Sequence, residues 1–164
     1  MVNQFSIQIA TNFDEKYPDA GATETECAMN LVMTADLMTK RIAALLQPYD
    51  LSPASGLVLS ILADSEEPLP PNKIADRLII SRASVTGLID SLEQRGYARR
   101  DAHHSDRRML LISPTESGRL VTDTFRPIVH RHQKMWLDAL GEEDKERLID
   151  TLHTLQAVLT DSEV

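Results

Sequence analysis

The hydrophobic period of this chain changes at Gly96. Before it, in SRASVTGLIDSLEQR, the residues Val85, Leu88, Ile89 and Leu92 recur at intervals of three and four, the narrow apolar stripe of an amphipathic helix. Ser81 stands where such a helix needs a cap. After Gly96 that spacing stops: YARR leads away, DAHHSDRR turns, and MLLIS returns as a short extended run up to Pro114. Glycine takes at little cost the left-handed conformation that closes a helix, so Arg95-Gly96 reads as a helix end and the start of a hairpin. Met109 to Ile112 is apolar throughout, so the returning strand is expected to be covered on both faces.

Two shorter helices precede this unit. NKIADRL makes two turns that send Ile74, Ala75 and Leu78 inward, and Ser52-Pro53 starts the apolar helix SGLVLSILAD, which ends near Asp64. SEEPLPP, between them, reads as a loop. Further upstream, Ala28, Leu31, Val32, Ala35, Met38, Ile42, Leu45 and Leu46 mark a long helix from Thr23 to about Gln47, where Pro48 stops it. Downstream, Thr115 with Glu116 opens another long helix to about Leu140, and Pro127 is expected to bend it. On its inward face Val121, Phe125, Ile128, His132 and Met135 step by four and three. Gly141 and EEDKE open a last helix lined by Leu148, Ile149, Leu152, Leu155 and Leu159. Residues 1–21 form an arm with two readings: Phe5, Ile7 and Ile9 alternate as in a strand, while Phe5, Ile9 and Phe13 also suit one helix face.

Three short helices followed by a β-ribbon make a winged helix-turn-helix, so the expected fold is mainly α with a small β-hairpin wing. Its bearing on nucleic acid depends on what the third helix, about 81–95, shows to solvent. At about 100° per residue, the face opposite the stripe carries Ala83, Gly87, Asp90 and Gln94, flanked by Ser84, Thr86 and Ser91. Small side chains let a helix approach base edges closely, and hydroxyls such as that of Ser81 can bond to bases or phosphates. Arg82 at the helix start suits a phosphate or a guanine. A solvated helix face alone would look similar; the arginine-rich ribbon beside it favours DNA.

The charge distribution agrees. The formal net charge is −8, yet Lys73 to Arg108 holds eight basic and five acidic side chains, a balance of +3 that leaves −11 elsewhere. Counterion release depends on the cations that reach phosphates, so an acidic total does not exclude a local DNA footprint. In the ribbon, about 98–113, Asp106 can hold Arg108 for a minor groove, whose negative potential attracts guanidinium groups, and Arg107 beside it at the tip is expected to contact DNA as well. Arg99 and Arg100 on the outgoing strand are expected to meet phosphate or local carboxylates.

Ile80 to Gly118 resembles the recognition helix and wing of the MarR family of bacterial transcriptional regulators. The shared features are SVTGLI, then LEQRGYARR, then Asp106-Arg107-Arg108 as the wing motif, then Thr115 and Gly118. Pro114 stands where leucine is usual, a departure that can trim the second strand. The resemblance implies a winged helix-turn-helix over 51–114 embedded in an all-helical dimerisation region, 22–50 and 115–164. It also implies a homodimer that places two recognition helices in successive major grooves of a near-palindromic operator, roughly 10 bp apart, and a repressor that answers a small aromatic or phenolic ligand. The long apolar stripes at both ends of the chain suit burial in a dimer.

The resemblance puts the effector between the dimer helices and the winged region, with Met33, His132, Met135 and Trp136 as candidates. Cys27 lies near the position of the reactive cysteine in oxidant-sensing members, which gives a redox-sensing alternative; acidic neighbours supply the wrong sign for thiolate activation. His130 and His132 lack the i, i+4 spacing of a helical metal pair, and no metal or cofactor is expected. A protein-interaction module using the same winged face is the alternative of a different class. An enzyme is not expected, since no nucleophile sits beside a base and no glycine-rich phosphate loop occurs. One cysteine, no membrane-length apolar run and no signal pattern suit the cytoplasm.

Overall fold

A computed structural model of the chain describes residues 6–78, 80–102 and 110–161. Its order is α1 (Phe13–Lys16), α2 (Ala22–Leu46), a 3₁₀ turn (Gln47–Tyr49), α3 (Pro53–Ala63), α4 (Pro71–Leu78), α5 (Arg82–Gln94), β1 (Ala98–Ala102), β2 (Leu110–Pro114), α6 (Glu116–Leu137) and α7 (Glu142–Asp161). The chain forms two compact units that divide inside α6, Met1–Thr122 and Asp123–Val164.

The first unit is organised by caps and by one core. Ser52 accepts the amide of Ser55 at 3.0 Å and Pro53 fills the first turn of α3, where its missing N–H is no loss. Ser81 does the same for α5 through the amide of Ser84 at 3.1 Å. Val58, Leu59 and Leu62 from α3, Ile74 from α4, Val85, Ile89 and Leu92 from α5, and Ile112 from β2 are buried together with Leu46 and Leu51. That core fixes how α4 and α5 sit, because both lay their short apolar stripes into it.

The ribbon departs from expectation in three ways. Strand β1 pairs antiparallel with β2, and Ala98 stands opposite Pro114, so the proline does not trim the strand. The amide of Thr115 donates to Tyr97 while that of Ile112 donates to Leu69 on the other side, so position 114 points its backbone away from β1 and needs no donor there. Leu69, within the stretch read as loop, exchanges two backbone bonds with Ile112 at 2.8 and 2.9 Å and adds a one-residue third strand. Finally, only the base of β2 is enclosed: Ile112, Ser113 and Pro114 are buried, whereas Leu110 is exposed.

Among the described residues, Ile7 and Ile9 lie in neither a strand nor a helix, and Phe5 lies outside the described residues. Beyond the single turn α1, Ile7 is gripped at both its amide and its carbonyl by the side-chain amide of Asn30, at 3.0 and 2.8 Å, and the Ile9 amide donates to Glu26 at 3.1 Å. Side chains of α2 thus stand in for a neighbouring strand.

In the second unit α6 runs on through Pro127 to Leu137, and α7 begins with Glu142, Glu143 and Asp144 at its positive end. None of α7's described residues is buried within the chain; Leu148, Ile149, Leu155, Val158 and Leu159 are all exposed. No helix among the described residues is long and apolar enough to cross a membrane.

Candidate nucleic-acid interface

The end of α5 is closed by two crossed backbone bonds. Gly96 at φ 71° lets its own amide reach Glu93 at 2.9 Å and the Tyr97 amide reach Leu92 at 2.9 Å. Thr115 then ties that end to the start of α6: its hydroxyl donates to the Gly96 carbonyl at 2.6 Å and accepts the Gly118 amide at 3.0 Å. A Cβ on Gly118 would lie 2.0 Å from the Tyr97 carbonyl oxygen, so the helix can approach the strand this closely only without a side chain there. Thr115 and Gly118 are therefore the joint between wing base and α6.

Fixed at both ends, α5 turns Val85, Ile89 and Leu92 into the core and exposes Ser81, Arg82, Ala83, Ser84, Thr86, Gly87, Asp90 and Gln94. Leu88 is half-buried. The hydroxyls on this face are less free than residue type alone suggests. Ser81 and Ser84 are joined Oγ to Oγ at 2.8 Å, and Thr86 donates to the Arg82 carbonyl at 3.0 Å, which leaves each with acceptor capacity outward. A Cβ on Gly87 would meet nothing within 4 Å, so packing does not demand a glycine there.

The arginines divide into two groups. Arg95 donates to Asp50 at 2.9 Å and reaches back to the Ser91 carbonyl at 2.9 Å. Arg99 pairs with Asp101 at 3.0 Å and donates to Ser113 at 3.2 Å. Arg100 pairs with Asp90 at 2.6 Å and with Glu93. The expectation that Arg99 and Arg100 meet local carboxylates therefore holds, and Asp90 is engaged by a cation of its own chain. Among the described residues Arg82 has no carboxylate partner, and neither do the exposed Lys73 and Arg77 of α4. Neither was among the expected contacts; their i, i+4 spacing on α4, the helix before α5, is the signal that marks them. Asp106, Arg107 and Arg108 lie outside the described residues.

The remaining candidates are scattered. Met33 is half-buried on α2. In the second unit His132 and Trp136, both half-buried, come together with ring centroids 6.0 Å apart, whereas Met135, expected on the inward face, is exposed. His132 Nδ1 lies 2.9 Å from the Ile128 carbonyl, which can only accept, so that nitrogen carries the proton and Nε2 stays available. Cys27 is exposed beside an open depression of about 340 Å³ lined also by Ala22, Thr23, Glu26 and Asn30; no cationic side chain is among them.

Comparison with known proteins meets the same part of the chain. Residues 51–110 match the model of the MarR family. The HTH-type transcriptional repressor YetL of Bacillus subtilis is 25% identical over 146 residues, spanning 88% of this chain and 87% of that protein. The crystal structure of the Staphylococcus aureus MepR–DNA complex superposes with a TM-score of 0.76 at 23% identity, over 80% of this chain and 96% of that one. CouR from Rhodococcus jostii RHA1, bound to p-coumaroyl-CoA, gives 0.69 at 25% identity, over 82% and 92%.

Proposed function

We propose that this chain, whose residues 51–110 match the model of the MarR family, is a dimeric, ligand-responsive repressor of that family that reads a near-palindromic DNA operator with α5. The observation that carries this reading is the exposed α5 face, built of small side chains around Gly87 and bordered by cations without carboxylate partners at Lys73, Arg77 and Arg82 among the described residues. Such a helix enters the major groove with its N-terminal end toward the bases, while α4 crosses the phosphate backbone. Arg107 and Arg108, with Asp106 to hold Arg108, are assigned to the minor groove. The protein is a regulator, not an enzyme.

Exposed apolar side chains support the dimer. Met29, Val32 and Leu37 on α2 and Leu148, Ile149, Leu155 and Leu159 of the α7 stripe lie open in the single chain, and a second copy would bury them. The repressor role is supported by the likeness to YetL, and a small phenolic or aromatic effector by the likeness to CouR. His132 and Trp136 are the candidates to touch such an effector, and Met33 and Met135 are the candidates for adaptable apolar contact with it. Binding then favours a spacing of the two recognition helices that no longer matches the operator.

The test is selection of bound fragments from genomic DNA, followed by salt titration on the best fragment. Replacing Lys73 and Arg77 together by alanine is expected to weaken binding to all duplexes alike and to lower the salt slope by about two. Replacing Arg107 and Arg108 by alanine should also flatten the slope and reduce preference for a narrow, A·T-rich groove at the operator flanks. Unchanged binding by either double variant sends the corresponding contact back to solvent.

A further inference from the structure

Arg100 occupies a place that phosphate contact does not explain. It leaves β1 toward α5, is 23% exposed, and sits between two carboxylates of the recognition helix that are three residues apart. One guanidinium nitrogen holds Asp90 Oδ1 at 2.6 Å and another holds Glu93. The Arg100 backbone amide donates to the second Glu93 oxygen at 3.0 Å, so Glu93 is held at both oxygens by this one residue. Arg99, the next residue along, faces the other side of the ribbon and is 65% exposed. A helix that meets a polyanion while carrying two uncompensated carboxylates would be repelled from it, and Asp90 lies on the exposed face.

We infer that Arg100 is a positioning residue for DNA recognition: it acts through Asp90 and Glu93, masking the recognition helix's own negative charge. This rests on the DNA-binding reading above. The guanidinium is the right group for the task, since a rigid fork satisfies two carboxylates at once where an ammonium supplies only a point charge. The consequence is a split among the basic side chains of this region. Lys73, Arg77 and Arg82 would set the number of phosphates neutralised, and Arg100 would remove the repulsion that Asp90 and Glu93 would otherwise offer.

The experiment uses the full-length chain and a duplex that the wild type selects from a randomised library, with a mixed-sequence duplex as control. Arg100→Met is expected to lose at least about tenfold in affinity for the selected duplex while the slope of log K against log salt stays unchanged, because no phosphate contact has gone. The triple variant Arg100→Met, Asp90→Asn, Glu93→Gln is expected to recover to within about threefold of wild type, because the charges that needed masking are gone too. That recovery also separates the proposal from a variant that merely folds badly. A slope reduced by about one in Arg100→Met, with no recovery in the triple variant, makes Arg100 a phosphate contact and overturns the inference. So does wild-type affinity in Arg100→Met. A wild-type chain that selects no duplex at all overturns the DNA-binding reading itself, and this inference with it.

Discussion

Among the glycine-to-alanine changes at the described residues, Gly118→Ala is expected to be the most destabilising. Its Cβ would stand 2.0 Å from the Tyr97 carbonyl oxygen and 2.9 Å from the carbonyl carbon, and both belong to backbone. That carbonyl cannot swing aside freely, because it accepts the Thr115 amide at 3.0 Å in the ribbon register. Thr115 in turn holds Gly96 and Gly118, so relief of the clash must break the joint between α5, the wing base and α6. A cost of about 3 kcal/mol is the upper end of what overpacking in a tight interior does, and it would appear as a lowered urea midpoint with the denaturant slope kept. Ser117→Ala, one residue away on an exposed position, serves as the control and should move the midpoint little. Equal midpoints for the two variants would mean that the close approach at Gly118 is not tight in solution.

Gly87 should behave in the opposite way. Nothing lies within 4 Å of where its Cβ would be, it is exposed, and it sits in the middle of α5, where a glycine costs helix stability. Gly87→Ala should therefore stabilise the fold by about 0.8 kcal/mol, the propensity difference between the two residues. Gly87→Glu should be neutral to slightly stabilising for the same reason. Yet on the proposed reading this face lies against base edges, where a long carboxylate meets both a steric and an electrostatic barrier. The expected loss of DNA affinity for Gly87→Glu is about a hundredfold or more, roughly 2.7 kcal/mol, read by fluorescence anisotropy at fixed salt. A variant that is as stable as wild type and binds the selected duplex as well would remove α5 from the interface. The two glycines thus separate demands that a sequence motif merges: one is required by the fold, the other is not.

Much of the architecture was legible because its causes are local. The caps Ser52 and Ser81, the first-turn proline of α3, the glycine that closes α5, and the apolar stripe of Val85, Ile89 and Leu92 all act between near neighbours in sequence, and each is present where the pattern put it. The N-terminal arm was not legible, since Ile7 and Ile9 find their backbone partners on side chains 23 and 17 residues away and leave no period in the sequence. Leu69 was missed for a related reason: a strand of one residue has no alternation to detect. Asp106, Arg107 and Arg108, proposed from the sequence to contact the minor groove, fall outside the described residues.

For the interface, the sequence by itself determined which helix shows its small and hydroxyl-bearing face and that basic residues gather around it. Those properties follow from residue type and from 3.6-residue periodicity, and no distant contact can change them. Which of the cations are free was decided only by tertiary structure. Arg95 is matched to Asp50 across 45 residues, and Arg100 to Asp90 and Glu93 across the turn that Gly96 allows, so the arginines most crowded in sequence are partly spent on the protein's own carboxylates. Charge acts through space, falling off with distance and dielectric and not with position along the chain. A count of arginines therefore points to the proposed interface, but the fold chooses which of them pair with the protein's own carboxylates.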